Sequence, residues 1–158
     1  MPVVGSGSLC LVDAMVLVDA VKHGFLKALL DGSCIGVAAS ALGEVKYYRD
    51  DQGKQQLIDL TPHVQAGRLT VVTATATEVQ GLVAKGLQRR LGRGELESLA
   101  LVVARSHDFC TADKTAVREI KDLGVLERWI SLEELLATLN PPRRVPDAKY
   151  LRAAAEPK

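Results

Sequence analysis

The sequence is poor in the residues on which several protein classes depend. It holds three cysteines among 158 residues, and aromatic residues make up 4% of the chain. Cys10, Cys34 and Cys110 are widely spaced and form no CxxC pair, which excludes a disulfide-stabilised scaffold. We expect all three to be buried as small apolar side chains in a reducing compartment. The scarcity of aromatic rings argues against the base-stacking platforms of single-strand nucleic-acid binders.

Long apolar runs and an excess of one charge are also absent. No apolar run approaches the roughly 20 residues of a membrane span. Near the N-terminus no Lys or Arg precedes the apolar stretch, which Asp13 and Asp19 interrupt. We therefore expect no signal peptide and no membrane contact, and we predict a cytoplasmic protein. With 20 Lys+Arg against 19 Asp+Glu, a nucleic-acid partner would require a local basic surface.

Three familiar catalytic or nucleotide-binding motifs are missing. The sequence has no HExxH, and its three histidines are too scattered for a zinc site. It has no GxSxG elbow, so an α/β-hydrolase is unsupported. The glycines of residues 5–8 precede the first predicted strand and lack the P-loop ending, which excludes both common phosphate-binding loops.

Short apolar runs alternate along the chain with longer helical periodicities. We predict strands at residues 9–12, 34–37, 69–73, 109–111 and 125–130, and helices at residues 15–30, 40–48, 53–65, 75–90, 95–106, 114–123 and after Ser131. Strands separated by helices of this length pair in parallel, so we expect an α/β fold: one three-layer α/β/α sandwich with about five parallel strands. We assign residues 1–140 to this single domain and residues 141–158 to a basic, proline-containing tail.

Carboxylates follow the predicted strands at informative places. Asp13 stands directly after the first strand and Asp113 two residues after the fourth, so both face one crevice if these strands are neighbours. Glu44 lies one turn into the helix after the second strand, and Glu95 opens a helix behind Gly94. Crowded carboxylates repel one another, and a hard divalent ion such as Mg²⁺ or Mn²⁺ relieves the repulsion. Such a site suits phosphodiester hydrolysis.

Each of these acids also has a purely structural interpretation. Asp13 and Asp113 are common helix caps, and Glu95 is favoured by the dipole of a first helical turn. Glu44 alone is typical of a solvated helix residue, and it is the joint placement of the four that favours a metal site. Other acids lack such placement, and we expect them to be surface charges: Asp19, Asp31, Asp50 and Asp51.

Four segments together resemble the PIN domains, a family of metal-dependent nucleases that includes VapC-type toxins. They are LVDAM at residues 11–15, SALGEV at 40–45, GELESLAL at 94–101, and TADK at 111–114 leading into AVR at 116–118 and LGV at 123–125. They follow the order of the family and cover about residues 9–139. The resemblance implies the same α/β/α fold, with Asp13, Glu44, Glu95 and Asp113 as metal ligands and Thr111 as an assisting hydroxyl.

The resemblance also implies a biological role. It suggests a ribonuclease that cleaves RNA with Mg²⁺ or Mn²⁺, acts as the toxin of a type II toxin–antitoxin pair, forms a homodimer and is inhibited by a cognate antitoxin protein. Between the two glutamates of the third segment we prefer Glu95, because Gly94 precedes it as in the family's Gly-Glu variant. Glu97 lies about 200° around the helix from Glu95, so the two do not readily face one site.

Basic residues near these segments fit an RNA substrate. Arg89, Arg90 and Arg93 form an acid-free cluster ahead of Glu95, and Arg118 lies on the helix after Asp113. We predict that these arginines contact RNA phosphates, and a solvated helix face is the alternative.

Two other functions remain open from the sequence. One is a catalytically degenerate PIN domain acting as an RNA-binding or assembly module, and Met15, where the family often carries Asn, Ser or Thr, is its support. The other is a receiver-like signalling domain, which needs a phospho-accepting Asp after the third strand. Residues 71–76 contain no acid, which disfavours it.

Overall fold

The computed structural model describes residues 9–32 and 34–139. Its strands are β1 (Cys10–Val12), β2 (Ile35–Ala38), β3 (Tyr47–Arg49), β4 (Gln55–Leu57), β5 (Leu69–Val72), β6 (Asp108–Cys110) and β7 (Trp129–Ile130). Its α-helices are α1 (Ala14–Lys22), α2 (Leu26–Gly32), α3 (Ala39–Leu42), α4 (Thr61–Gln65), α5 (Ala76–Val83), α6 (Arg93–Arg105), α7 (Lys114–Asp122) and α8 (Leu132–Ala137), and 3-10 turns occupy Leu87–Arg89 and Leu126–Arg128.

The central sheet has the strand order β5-β2-β1-β6-β7, and all its neighbouring strands are parallel. The chain builds one half from β1 through β2 to β5, then crosses to the other side of β1 to add β6 and β7. The carboxyl ends of β1 and β6 therefore meet where the strand order reverses, which is where open α/β sheets bind ligands. Helices flank the sheet, so the predicted three-layer α/β/α sandwich is confirmed. Strands β1 and β6 are neighbours, which meets the condition under which Asp13 and Asp113 face one crevice.

Burial explains why the inner strands are short apolar runs. Every residue of β1, β2 and β6 is buried, as expected for parallel strands covered on both faces. The surrounding helices add their apolar faces to one core, which includes the fully buried Leu17, Leu29, Leu99 and Ile120. In the described part of the chain, no helix is long and apolar enough to cross a membrane.

The predicted helices at 40–48 and 53–65 are wrong over most of their length. Helix α3 spans four residues and is capped by Ala38 instead of Ser40, and an antiparallel hairpin of β3 and β4 follows it. The turn at residues 50–54 is stabilised locally, and the chain therefore forms a hairpin in place of the predicted helices. The Asp50 carboxylate accepts hydrogen bonds from two backbone amides of the turn, and Gly53 has φ +77°. Only the short α4 remains of the second predicted helix.

Glycine also divides the predicted helix at 15–30. Gly24 has φ +76° and its amide bonds the Val21 carbonyl, so the chain leaves α1 and re-enters helix as α2. In the same way the helix predicted at 75–90 ends at Val83, and Gly86 with φ +80° separates it from a 3-10 turn. The strand predicted at 125–130 is correct only at its end, because a 3-10 turn occupies Leu126–Arg128 and β7 is limited to Trp129–Ile130. The other predicted elements agree with the structure at their cores, with ends shifted by a few residues.

Two burial predictions also need correction. Cys10 and Cys110 are buried as expected, whereas Cys34 is exposed because it precedes β2 at the open amino edge of the sheet. Asp19, expected at the surface, is buried on the inner face of α1. The predicted tail at 141–158 lies outside the described residues.

Gly94 permits the close packing of α3 against α6, which brings Glu44 to the edge of the sheet. A Cβ at this position would lie 2.8 Å from the Ala41 Cα and 2.7 Å from a Glu44 carboxylate oxygen. We predict that Gly94→Ala lowers the free energy of unfolding by about 1–3 kcal/mol, because the two helices must separate.

Gly81→Ala is the matched control, since Gly81 lies inside α5 and an added Cβ meets nothing within 4 Å. That variant should gain about 0.5–1 kcal/mol from helix propensity. Urea unfolding of both variants checks the pair, and equal stability of the two would contradict the close packing.

Candidate active site

Asp13 occupies the junction of β1 and α1 and is held there by two hydrogen bonds. One carboxylate oxygen accepts from the Val16 amide at 2.8 Å and so caps α1. The other oxygen accepts from the hydroxyl of Thr111, which directly follows the neighbouring strand β6, at 2.5 Å. The side chain is fixed in one orientation at the carboxyl edge of the sheet, with 8% of the residue exposed.

Thr111 connects the two aspartates of the site. Its hydroxyl donates to Asp13 and accepts from the backbone amide of Asp113 at 3.1 Å. Its own carbonyl accepts from the Trp129 indole at 2.9 Å, which fixes the end of β6 against β7. Asp113 then caps α7 by accepting from the Ala116 amide at 3.0 Å. The buried threonine therefore places both aspartates relative to each other.

Glu95 approaches the aspartates from the first turn of α6. One of its oxygens accepts from the Gly92 amide at 3.4 Å, and the side chain also shares a hydrogen bond with the Asp113 carboxyl. Such a bond between two carboxyls requires a proton. Burial, followed by the nearby negative charge of Asp113, raises the pKa of Glu95 to about 7.

Asp13 is perturbed in the same direction. Burial raises the pKa of Asp13 to about 6, although its bonds from Thr111 and Val16 favour the charged form and partly oppose the rise. Asp113 and Asp19 add smaller repulsive contributions to this pKa. The site thus holds two carboxyls that are hard to ionise together near neutral pH.

Glu44 completes the set from the turn after α3. Its carboxylate lies against Gly94, where a larger side chain would displace it. All four predicted acids line a single open cleft of about 490 Å³ at the carboxyl edge of β1 and β6, together with Ala14, Met15, Val18, Gly92 and Ala112. The described residues that line this cleft include no Lys or Arg to neutralise the acids.

The chemistry of this cleft fits a hard divalent cation. Oxygen ligands from four carboxylates are the donors that Mg²⁺ and Mn²⁺ prefer. A cation would favour the charged forms of Asp13 and Glu95, whose pKa values are raised mainly by burial and further by the neighbouring carboxylates. The arrangement is not preformed. Within the described residues, no three His, Cys, Asp or Glu side chains are grouped closely enough to hold a metal as they stand. Binding would require Glu95 and Asp113 to exchange their mutual hydrogen bond for the ion.

Glu97 serves the fold and does not line the cleft. It is buried, and its two carboxylate oxygens accept from the Ser40 amide at 2.8 Å and the Ala74 amide at 3.0 Å. It therefore joins the start of α3 to the loop after β5, on the opposite side of α6 from Glu95. These contacts agree with the preference for Glu95 made from the sequence.

The four predicted RNA-contacting arginines lie outside the cleft lining. Arg90 donates to both carboxylate oxygens of the buried Glu119, at 2.7 and 3.2 Å, and so fastens the 3-10 turn to α7. Arg89, Arg93 and Arg118 are exposed. Arg93 follows the cleft residue Gly92, and its contact with RNA stays a prediction.

Sequence reasoning missed a different set of basic side chains. Lys46 and Arg49 lie at the hairpin of β3 and β4, beside Glu44. Lys46 fell within the helix predicted at 40–48, and Arg49 fell between that helix and the one predicted at 53–65, so neither was singled out. The turn-forming run DDQGK at residues 50–54 was the signal that could have revealed the hairpin.

A pair of Glu→Gln variants separates the structural glutamate from the site glutamate. We predict that Glu97→Gln loses about 1–3 kcal/mol in the free energy of unfolding, because an amide can accept only one of the two backbone bonds. Glu95→Gln should instead be more stable than the wild type at pH 8.

The pH dependence follows from the raised pKa of Glu95. A folded pKa of about 7 lies above the unfolded value of about 4.3, so the folded state binds the proton more tightly. The charged carboxylate therefore costs stability above pH 7 and costs none below about pH 4. Urea unfolding at pH 8 and pH 4.5 should show the advantage of the Glu95→Gln variant only at pH 8. An advantage of the same size at both pH values would refute this electrostatic account.

No family model matches the chain, and a search of curated proteins finds no matching relative.

Proposed function

We propose that the protein is a metal-dependent endoribonuclease whose active site is the acidic cleft. The observation that carries the proposal is the convergence of Asp13, Glu44, Glu95 and Asp113, from four separate segments, at the reversal of strand order. Two of these carboxyls have a raised pKa, which is typical of functional sites and is the state that a bound cation would reverse.

The four carboxylates would hold Mg²⁺ or Mn²⁺, and the ion would polarise a phosphoryl oxygen and activate water for attack on the phosphodiester. The protein's own part is to fix the donors. Thr111 keeps an oxygen of Asp13 in place from β6, and the caps of α1 and α7 hold the two aspartates. Glu95 would have to give up the proton that it shares with Asp113 in order to hold the ion, since ligand carboxylates must be ionised.

The choice of RNA as substrate, and the role as a toxin, follow from the resemblance to PIN domains. We extend the proposal accordingly to a homodimeric toxin restrained by an antitoxin protein that covers the acidic cleft. A short open reading frame just upstream, whose product blocks cleavage when it is co-purified, would support this part separately from the nuclease activity.

A second candidate function is supported by one feature of the cleft. Met15 lies in the cleft wall beside Asp13 with 48% of the residue exposed, and a thioether is a poor partner for a hydrated Mg²⁺ ion. A degenerate PIN domain that binds RNA without cutting it is therefore the alternative. It predicts RNA binding with neither cleavage nor tight binding of Mn²⁺.

Cleavage of a mixed, structured RNA by the purified protein tests the proposal. We predict cleavage with Mn²⁺ or Mg²⁺ and none with EDTA. Asp13→Asn, Asp113→Asn and Glu95→Gln should each lower the rate at least 100-fold, because a ligand charge is lost while the fold is kept.

Asp122→Asn is the matched control, since it removes an exposed carboxylate at the end of α7, outside the cleft lining, and should keep the wild-type rate. Activity that survives EDTA, or that persists in all three cleft variants, would contradict the proposed site. Folded protein that binds RNA, but neither cuts any RNA offered nor binds Mn²⁺ tightly, would favour the degenerate alternative.

A further inference from the structure

A second depression of about 570 Å³ adjoins the acidic cleft. The two share Met15, Val18 and Glu44 in their walls, so they form one continuous concave surface. The additional lining residues come from the end of α1 and from the hairpin: Asp19, Lys22, Lys46, Tyr47, Tyr48 and Arg49. We call this region the hairpin depression.

The charge of the surface changes sign along its length. The cleft is lined by four acids and no basic residue among those described, whereas the hairpin depression carries three basic side chains against Asp19 and Glu44. Asp19 is buried, so the exposed charges of the hairpin depression are those of its three basic side chains and of Glu44 in the shared wall, and the positive charges outnumber the negative one. Lys22 from the end of α1 and Lys46 from the start of the hairpin are both exposed there.

The hairpin holds its aromatic rings in a defined place. The Asp50 turn fixes the strand pairing, and an Arg49 guanidinium nitrogen donates to the Gly53 carbonyl at 3.0 Å. The same guanidinium lies 5.8 Å from the centre of the Tyr47 ring, within the range of a cation–π contact. Tyr47 remains 44% exposed. Two of the three tyrosines of the chain thus line one short stretch of surface, despite the low aromatic content overall.

Phosphates flanked by bases are the ligands that match these groups. Lysines attract phosphates without regard to sequence, and tyrosine rings stack on unpaired bases. A strand whose scissile phosphate occupies the acidic cleft must continue along a surface next to it, and the hairpin depression is continuous with the cleft. The arginines predicted from the sequence line neither depression, and Arg90 is engaged by Glu119.

We propose that the hairpin depression binds the single-stranded RNA segment next to the scissile phosphate. Lys22 and Lys46 contact its phosphates, and Tyr47 stacks on a base. The inference rests on the proposed nuclease function, because it takes the acidic cleft as the place where the strand is cut.

Binding of an unstructured 12-nucleotide RNA in EDTA tests this placement without requiring cleavage. We predict that the double variant Lys22→Gln, Lys46→Gln binds this RNA about tenfold more weakly at 50 mM salt. The slope of log affinity against log salt should fall by about 1.4, since each phosphate contact on a single strand contributes roughly 0.7. Tyr47→Ala should weaken binding about fivefold, and Tyr47→Phe should keep the wild-type affinity because its ring still stacks.

The double variant Lys27→Gln, Lys121→Gln is the matched control. It removes the same charge from exposed positions on α2 and α7 that line neither depression. It should keep both the affinity and the salt slope to within a factor of two. Thermal unfolding of every variant checks that changes in binding do not come from loss of fold.

The outcomes separate this inference from the proposed function. Wild-type binding that weakens equally in the test and control double variants overturns the hairpin assignment and leaves the nuclease proposal standing. A wild type that cleaves RNA yet shows no binding to this RNA in EDTA also overturns it. A wild type that neither binds nor cleaves RNA overturns both.

Discussion

The burial of Asp13 between β1 and β6 is the constraint on which the site depends. A parallel sheet covered on both faces leaves its carboxyl edge as the place where a polar side chain can stand near solvent while its neighbours are apolar. Asp13 is tolerated there because it accepts from the Val16 amide and the Thr111 hydroxyl. Those bonds only partly offset the effects of burial and of other carboxyls, so the pKa of Asp13 is raised to about 6. An acid kept in such a place costs stability, and a bound cation would offset that cost.

Helix α6 illustrates how one element separates structural from chemical roles. Glu97 faces inward and ties the backbone at Ser40 to that at Ala74, whereas Glu95 faces the cleft. Gly94 lies between the Gly92 cap and these two glutamates. Because it has no side chain, α3 can pack closely against α6, and this packing places Glu44 in the cleft. The packing of the helices and strands brings the four acids together, whereas the mutual repulsion of their carboxylates opposes this arrangement.

The parts predicted from the sequence are those that depend on nearest neighbours along the chain. The apolar runs located most of the sheet strands, and the positions of Asp13 and Asp113 just beyond two of them indicated a shared crevice on the condition that these strands are neighbours. Contacts between segments distant in sequence were less accessible. The role of Glu97 depends on two backbone amides 57 and 23 residues away, and the spacing showed only that it points away from Glu95. The hairpin was missed because a turn stabilised by Asp50 and Gly53 overrides the weak helical pattern around it. Asp19 was predicted to be exposed and is buried, and Cys34 was predicted to be buried and is exposed. Burial at a helix face or a sheet edge depends on which element packs there, and the local sequence does not show this.

Binding of a divalent cation at the proposed site should displace the protons that Asp13 and Glu95 hold. Calorimetric titration with Mn²⁺ at pH 6.5, repeated in two buffers of different ionisation enthalpy, measures both the affinity and the protons released. With the pKa of Asp13 raised to about 6 and that of Glu95 to about 7, we predict binding with release of about one proton, and loss of both signals in Asp13→Asn. Absence of binding by the folded protein, or binding unchanged in Asp13→Asn, would contradict a cation site at the acidic cleft.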